Sequence, residues 1–362
     1  MDQRGQALTG SLLGMAVGDA MGSSIDKKSW PEICESYGPN GLLGYDLTSG
    51  SAEMTSYTQL AVFTANALLL AVTRGSGEQY SRALLLAARE WYKSQQFRSI
   101  PEKTRCWVAQ VPCLRRRLCM DTQMLDALSR EVLGTPEKPV FRSGSPSSLT
   151  AGLAVGLCYD PKRLTESQLM RLGTEAVAFT HGRQEVYLSG AFLALALARL
   201  LQDPGKAPSA LFEDVLETVV AEFEHCWPIE TEVFAARIRK ALQLTRDPEM
   251  TPLAAMTVLE CTSAAECVAG AVYAVSIHPA NFDEAMIVSV NHSGRSSAVG
   301  ALTGALLGAR LGGEELPEFY LESLECAPYL RELAQDLCDC RQVSRIFDDD
   351  WDQKYVQGMP VT

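Results

Sequence analysis

Two acidic side chains near the N-terminus stand where they could do chemistry. Asp19 interrupts an apolar run that extends from Gly10 to Gly22. Burying an isolated charge is costly, so a carboxylate in such a run has to be paired or turned towards a cleft. We expect Asp19 to line a cleft, and a buried helix-capping role is the alternative. Asp26 lies in the polar loop that follows, where it is either exposed or a second cleft carboxylate. In a cleft, either residue could activate a water molecule as a general base.

A cationic side chain, Arg295, stands among small polar residues immediately before an apolar helix. The segment 293–297 reads SGRSS. The first turn of a helix exposes free N–H groups and the positive end of the helix dipole, and it therefore favours an anion. A guanidinium beside it could clamp a pyrophosphate or a carboxylate. We therefore expect Arg295, Ser296 and Ser297 to bind a ligand. The alternative for Arg295 is a structural ion pair with one of the two N-terminal aspartates.

Further polar residues stand next to predicted helices. Thr55 and Ser56 precede an apolar helix and are good helix caps by residue type, but they could equally line a pocket. Tyr57 could stack on a base or a ribose, or simply fill volume. His181 lies in a tight break between two helices, where a lone histidine is either structural or part of a pocket. Ser145 belongs to a loop rich in Ser, Gly and Pro, which by itself is weak support for ligand binding.

Two helices with glycine at every fourth position must bring these residues together. Residues four apart lie on one face of a helix, and each glycine inside a helix costs about 1 kcal/mol relative to alanine. Such stripes therefore indicate that the two helices pack against each other with their backbones nearly touching. The glycines are Gly10, Gly14, Gly18 and Gly22 in the first stripe and Gly300, Gly304, Gly308 and Gly312 in the second.

The remaining pattern predicts an all-α architecture with ten or more helices. Apolar residues recur at helical spacing, and no window shows the sustained alternation of a strand. Among the predicted helices are Tyr57–Thr73, Gln184–Leu201 and a last amphipathic helix near Leu321–Leu337. The segment Ser23–Ser51 is expected to be a loop. Because no break is longer than a loop, we predict one domain over residues 1–362.

Composition restricts the partners of this chain. Its 362 residues include 47% hydrophobic residues, enough for a large core, and the net charge of −12 argues against nucleic acid. The apolar parts of the glycine helices are shorter than the ~20 residues that a bilayer needs, so no membrane span is expected. Eleven cysteines without CxxC pairs fit reduced thiols in a cytoplasmic protein. No motif identifies a protein partner, and the acidic tail Asp348–Asp350 with Trp351 is expected to be solvated.

The sequence resembles the ADP-ribosylglycohydrolase family from Gly10 to about Pro317. The N-terminal signature G-x-L-x-G-x-A-x-G-D-A-x-G stands here as residues 10–22, and the acid that the family often carries seven positions later is Asp26. The pair Thr180-His181 before a long helix is similar to a middle motif of the family. The resemblance implies a large orthogonal helical bundle. It also implies that His181 lies near the ribose of ADP-ribose and that the loop of Ser145 contacts the distal part of that ligand.

The metal-binding motifs of the family are altered in this chain. Family members hold two divalent cations, usually magnesium, with the aspartates of T-D-D-T and G-G-D-T-D-T. The resemblance places these motifs on residues 55–58, TSYT, and on residues 293–298, SGRSSA. The four aspartates are replaced by Ser56, Tyr57, Arg295 and Ser297. Magnesium prefers several anionic oxygens, so we expect both ions to be absent, with no metal-binding residue and no cofactor.

Three hypotheses for the function follow. In the first, the protein has lost the metal-dependent hydrolase activity and binds ADP-ribose or a related small anion in the remaining cleft. In the second, it hydrolyses ADP-ribosyl glycosidic bonds without metal, with Asp19 or Asp26 activating water and Arg295 stabilising charge. In the third, it is a structural or partner-binding protein on this scaffold. We favour the first.

Overall fold

The prediction of an all-α architecture is confirmed. The structure is a computed structural model that describes residues 2–48, 50–73, 80–96, 104–340 and 349–357. Within these ranges all regular elements are helices, and the one strand-like pairing is a parallel bridge between Ala52 and Leu324. The α-helices are α1 Gln3–Ser23, α2 Trp30–Tyr37, α3 Ser56–Thr73, α4 Tyr80–Gln96, α5 Thr122–Ser129, α6 Leu149–Val155, α7 Glu166–Ala178, α8 Gln184–Gln202, α9 Pro208–Phe223, α10 Pro228–Leu244, α11 Pro252–Leu259, α12 Ala264–Ile277, α13 Phe282–Val290, α14 Ser296–Leu311, α15 Glu318–Glu322, α16 Ala327–Asp339 and α17 Asp349–Asp352.

The two glycine helices pack against each other as predicted. They run antiparallel, since Gly10 faces Gly308, Gly14 faces Gly304 and Gly18 faces Gly300. At each pair an added Cβ would collide with the carbonyl group of the opposite glycine, so only glycine permits this approach. The exception is Gly312, which follows α14 with a φ of 93° and ends the helix instead of continuing the stripe.

The antiparallel pair lies inside one continuous core. Buried apolar side chains from α1 to the C-terminal turn form a single cluster. Two helices, Ser56–Thr73 and Gln184–Gln202, are long and apolar enough to cross a membrane by length and composition, but 83% of each span is buried inside the protein. That burial is typical of core helices in a globular protein. All eleven cysteines are free thiols.

The structure corrects the predicted loop over Ser23–Ser51. This segment contains α2, whose first turn is closed by a capping box between Ser29 and Glu32, with Pro31 in the first turn. The backbone N–H of Trp30 also donates to Ser293 Oγ at 2.8 Å, which attaches α2 to the loop before α14. The capping signal was present in the sequence but lay within a polar stretch.

The predicted C-terminal elements differ from the structure in two ways. The last helix is divided into α15 and α16, because Pro328 lacks an N–H group and starts a new helix. Trp351 is buried rather than solvated, and its Nε1 donates to Thr73 Oγ1 at 3.1 Å. Burial of a large aromatic surface outweighs the polarity of the adjacent acids. Asp348 lies outside the described residues.

Candidate functional site

A cavity opens where three helix ends converge. The antiparallel packing brings the C-terminal end of α1 beside the N-terminal end of α14, since Gly22 lies against Ser296. The N-terminal end of α3 is fastened to the same place through Asp19. The cavity has a volume of about 240 Å³ and is lined by Ser23, Asp26, Lys27, Thr55, Ser56, Tyr57, Leu118, Met120, Asp121, Ser147, Arg295 and Ser297. The glycine stripes therefore create the site by bringing helix ends together.

Arg295 reaches into this cavity with a partly buried guanidinium. Its Nη2 donates to the Tyr57 hydroxyl at 3.1 Å, and its Nε lies 3.4 Å from Asp26 Oδ2. Nε is nevertheless buried without a hydrogen-bond partner. Burial opposes the charged form, but Tyr57 and Asp26 outweigh it and hold the pKa of Arg295 above its ordinary value. The guanidinium is therefore a fixed positive charge with unused donor capacity.

A strained turn holds the backbone of Arg295 in place. Glu260 and Cys261 both have positive φ, 59° and 55°, which is uncommon for residues other than glycine. The carbonyl oxygen of Cys261 accepts the N–H of Arg295 at 2.8 Å. A side chain at Gly294 would collide with the carbonyl groups of this turn. The sequence analysis did not identify this support, which only the tertiary packing reveals.

Asp26 lines the cavity, which is one of the two positions expected for it; the other was an exposed position in the loop. Its Oδ1 accepts the N–H of Ser297 at 3.2 Å, in the first turn of α14, and its Oδ2 faces Arg295. The next residue, Lys27, has a φ of 66° and donates its N–H to the carbonyl oxygen of Gly294 at 3.0 Å. This turn places one carboxylate and one exposed ammonium at the same cavity.

Asp19 does not line the cavity, contrary to our expectation. It is fully buried, and its carboxylate accepts the N–H and hydroxyl of Thr55 at 2.8 and 2.6 Å and those of Thr58 at 3.1 and 2.7 Å. Asp19 therefore caps the N-terminus of α3, which was the alternative role. Burial raises its pKa to about 6, although the four hydrogen bonds oppose the shift. With both oxygens engaged and no access to the cavity, Asp19 is not placed to activate water there.

The start of α3 contributes one wall of the cavity. Thr55, Ser56 and Tyr57 all line it. Thr55 also donates hydrogen bonds to Asp19, so this residue both belongs to the capped start of α3 and lines the cavity. The Tyr57 ring is buried, burial raises the pKa of its hydroxyl, and that hydroxyl is the acceptor that orients Arg295. Tyr57 thus fixes the guanidinium in addition to filling volume.

Three of the expected ligand-binding residues are not among those that line the cavity. Ser296 is buried and donates its hydroxyl to the carbonyl oxygen of Val290 at 2.7 Å, because the first turn of α14 points it inward. Ser145 shares a hydrogen bond of 2.7 Å with Ser147, and only Ser147 lines the cavity. His181 is buried, with Nδ1 2.7 Å from Thr180 Oγ1. These residues support the wall instead of forming it.

Asp121 is a cavity residue that the sequence analysis missed. It caps α5 by accepting the N–H of Met124 at 3.0 Å, and its Oδ2 lies 3.8 Å from His181 Nε2. Burial alone would raise the pKa of Asp121, but the nearby His181 ring, the N–H of Met124 and Ser147 outweigh it and hold the pKa far below the ordinary value. The sequence signal for Asp121 was an acid immediately before a predicted helix, but an acid in that position is equally typical of an ordinary helix N-cap. His181 is connected to the cavity through this carboxylate.

The residues at the expected metal positions converge, but their chemistry does not fit magnesium. Ser56, Tyr57, Arg295 and Ser297 line one cavity, which agrees with the alignment drawn from the sequence. They supply neutral hydroxyls and one guanidinium, whereas magnesium requires hard anionic oxygens in octahedral geometry. Throughout the described ranges no three His, Cys, Asp or Glu side chains are grouped so that they could hold a metal ion. This donor set does not fit a pair of magnesium ions.

Comparisons with known proteins agree with the fold and the motifs. A family model described as ADP-ribosylglycohydrolase matches residues 2–346. Among solved structures, the chain is similar to one titled "ADP-ribosylglycohydrolase-related protein complex", with a TM-score of 0.54 and 21% sequence identity. The similarity covers 94% of this chain and 99% of the other. At that identity it supports the fold alone. No curated protein matches the sequence significantly.

Proposed function

Because the chain belongs to the ADP-ribosylglycohydrolase family, we propose that its cavity binds ADP-ribose or a related small anion through Arg295 instead of through magnesium ions. The protein is then a binder on an enzyme scaffold, without the metal-dependent hydrolase activity. The observation that carries this proposal is the guanidinium itself, which stands where the family's metal ligands are expected. It would supply the positive charge that the two magnesium ions supply in other family members.

The geometry around Arg295 suits an anionic ligand. A guanidinium has five N–H donors in a planar fork, and one of the nitrogens here, Nε, is buried without a hydrogen-bond partner. A phosphate or carboxylate oxygen could satisfy it, and charge-assisted bonds of this kind are the strong ones. Lys27 adds a second cation at the rim, and Ser56 and Ser297 add hydroxyls. The cavity therefore offers donors for an anion and a sugar.

The hydrolase alternative finds less support in this arrangement. Of the two acids considered as general bases, Asp19 is buried behind the wall, and the two oxygens of Asp26 face Ser297 and Arg295. Asp121 also lines the cavity, but its low pKa makes it a weak base at neutral pH. Turnover of an ADP-ribosylated arginine or serine peptide in the presence of a chelator would favour this alternative over simple binding.

Calorimetric titration with ADP-ribose tests the proposal. We expect binding in magnesium buffer and in EDTA with dissociation constants that agree within about twofold. The Arg295→Met variant should bind about tenfold to a hundredfold more weakly, since a hydrogen bond to a charged group contributes about 1.5–3 kcal/mol. Arg246→Met is the matched control, because Arg246 is an exposed arginine paired with Glu213 outside the cavity.

Three results would contradict the proposal. Loss of binding in EDTA would mean that a metal ion carries the ligand after all. Absence of binding to ADP-ribose, its nucleotide relatives and pyrophosphate by the folded wild-type protein would favour the structural or partner-binding hypothesis. Equal affinities of the Arg295→Met and Arg246→Met variants would mean that Arg295 does not contact the ligand.

A further inference from the structure

We infer that Asp26 is a built-in competitor for the ligand at Arg295, so that it sets the affinity of the cavity for anions. The inference rests on the proposed function, since it assumes that an anion binds beside the guanidinium. It assigns Asp26 a role different from general base catalysis. Its two carboxylate oxygens lie where an anion would bind, and both are loosely held.

The Asp26 carboxylate already contacts the two groups that an incoming anion would use, the first turn of α14 and the Arg295 guanidinium. Its Oδ1 is the acceptor for the Ser297 N–H in the first turn of α14, and its Oδ2 faces Arg295 Nε. In this respect the side chain imitates a bound phosphate or carboxylate. An anion that binds to the guanidinium must displace the Asp26 carboxylate or lie next to it.

Both contacts are long for interactions that involve ions. The separations are 3.2 Å from the Ser297 nitrogen and 3.4 Å from Arg295 Nε, whereas charge-assisted N–H···O bonds are typically about 2.7–2.9 Å. The second contact does not satisfy the guanidinium, because Nε has no hydrogen-bond partner. Asp26 therefore neutralises Arg295 without fully satisfying it, and an anion with better geometry can replace the carboxylate.

The backbone keeps the competitor near its target. The turn after α1 is tied to the loop before α14, because the N–H of Lys27 donates to the carbonyl oxygen of Gly294. The Asp26 side chain is only about four-fifths buried, with 19% of it exposed, so it has room to rotate towards solvent. Displacement then needs a side-chain rotation and no movement of the helices.

Removing the charge of Asp26 should therefore strengthen anion binding. The Asp26→Asn variant removes the charge but keeps an oxygen that can accept the Ser297 N–H. We expect calorimetry with inorganic pyrophosphate to give a dissociation constant about tenfold lower for Asp26→Asn than for wild type, because two like charges a few ångströms apart repel strongly in a partly buried site. Far-ultraviolet circular dichroism verifies that the variant is folded.

Asp121→Asn is the matched control. It removes the same charge from the same cavity, but Asp121 is anchored by Met124 and affects Arg295 more weakly than Asp26 does. We expect the affinity of Asp121→Asn for pyrophosphate to rise by less than about threefold, against about tenfold for Asp26→Asn. That difference would show that the tighter binding comes from removing the local competitor and not from the change in net charge.

The outcomes separate the two proposals. If wild type binds pyrophosphate and Asp26→Asn binds it no more tightly, the competitor role is wrong and the proposed function stands. The competitor role is equally wrong if Asp121→Asn gains as much as Asp26→Asn. If no folded variant binds pyrophosphate, ADP-ribose or its nucleotide relatives, the proposed function itself fails, and the competitor role fails with it.

Discussion

The contact between the two glycine helices allows a quantitative prediction for Gly14→Ala. A Cβ on Gly14 would lie 2.9 Å from the carbonyl carbon of Gly304 and closer still to its oxygen. Both groups belong to the backbone, so no side-chain rotation can relieve the collision. To reach ordinary contact, α1 and α14 must separate by roughly 1 Å, and a gap of that size forfeits about a quarter to a half of the dispersion energy between facing atoms.

The expected change in stability is the difference between two opposing effects. Overpacking of a well-packed core costs about 1–3 kcal/mol and occasionally more, and a collision between two backbones belongs at the upper end. Alanine returns about 1 kcal/mol through its higher helix propensity. We therefore expect the free energy of unfolding to fall by about 2 kcal/mol or more.

Urea unfolding followed by circular dichroism measures this change. Gly44→Ala is the matched control, because it is the same substitution at a site where no atom lies within 4 Å of the added Cβ. Its effect should remain within about 0.5 kcal/mol, as for most surface substitutions. If Gly14→Ala unfolds at the same urea concentration as Gly44→Ala and wild type, the close approach of α1 and α14 is wrong.

Two further predictions concern the positions aligned with the metal-binding motifs of the family and the buried acid Asp19. The Arg295→Asp, Ser297→Asp double variant should bind magnesium in calorimetry more tightly than an Arg295→Gln, Ser297→Asn variant, since it restores two carboxylates beside Asp26; equal affinities would mean that the alignment of residues 293–298 is wrong. Burial raises the pKa of Asp19 to about 6 from an ordinary 3.8, so the folded state binds more protons than the unfolded state between these values. Stability should therefore fall by roughly 2 kcal/mol as pH rises from about 4 to 6, and this part of the slope should disappear in Asp19→Asn; identical pH slopes for the two proteins in urea unfolding would refute it.

Much of the scaffold follows from local sequence patterns. The four-residue spacing of glycine was enough to predict that two distant helices meet, because nothing else offsets the cost of glycine inside a helix. Apolar periodicity predicted α3 and α8 nearly to their ends. The prediction failed for α2 and for the division of the last helix, where Pro31 and Pro328 start helices inside segments that we interpreted differently.

The altered motifs also identified part of the site in advance. Asp26, Thr55, Ser56, Tyr57, Arg295 and Ser297 all line the cavity. Each follows or begins a helix whose end was predictable, so its position depends on chain connectivity and helix packing together. That they bind a ligand, and that magnesium is absent, stay predictions.

Tertiary structure alone decided which way several side chains point. An acid in an apolar helix needs hydrogen-bond partners, which either a cleft or the end of another helix can supply. Which of the two applies depends on the helix that packs beside it. For Asp19 that helix is α3, whose N-terminal N–H groups donate to the carboxylate. His181 reaches the cavity only through Asp121, from a segment sixty residues earlier in the sequence. The sequence by itself determines residue type and periodicity, whereas partners distant in the chain are determined by packing, because hydrogen bonds and ion pairs act over a few ångströms in space.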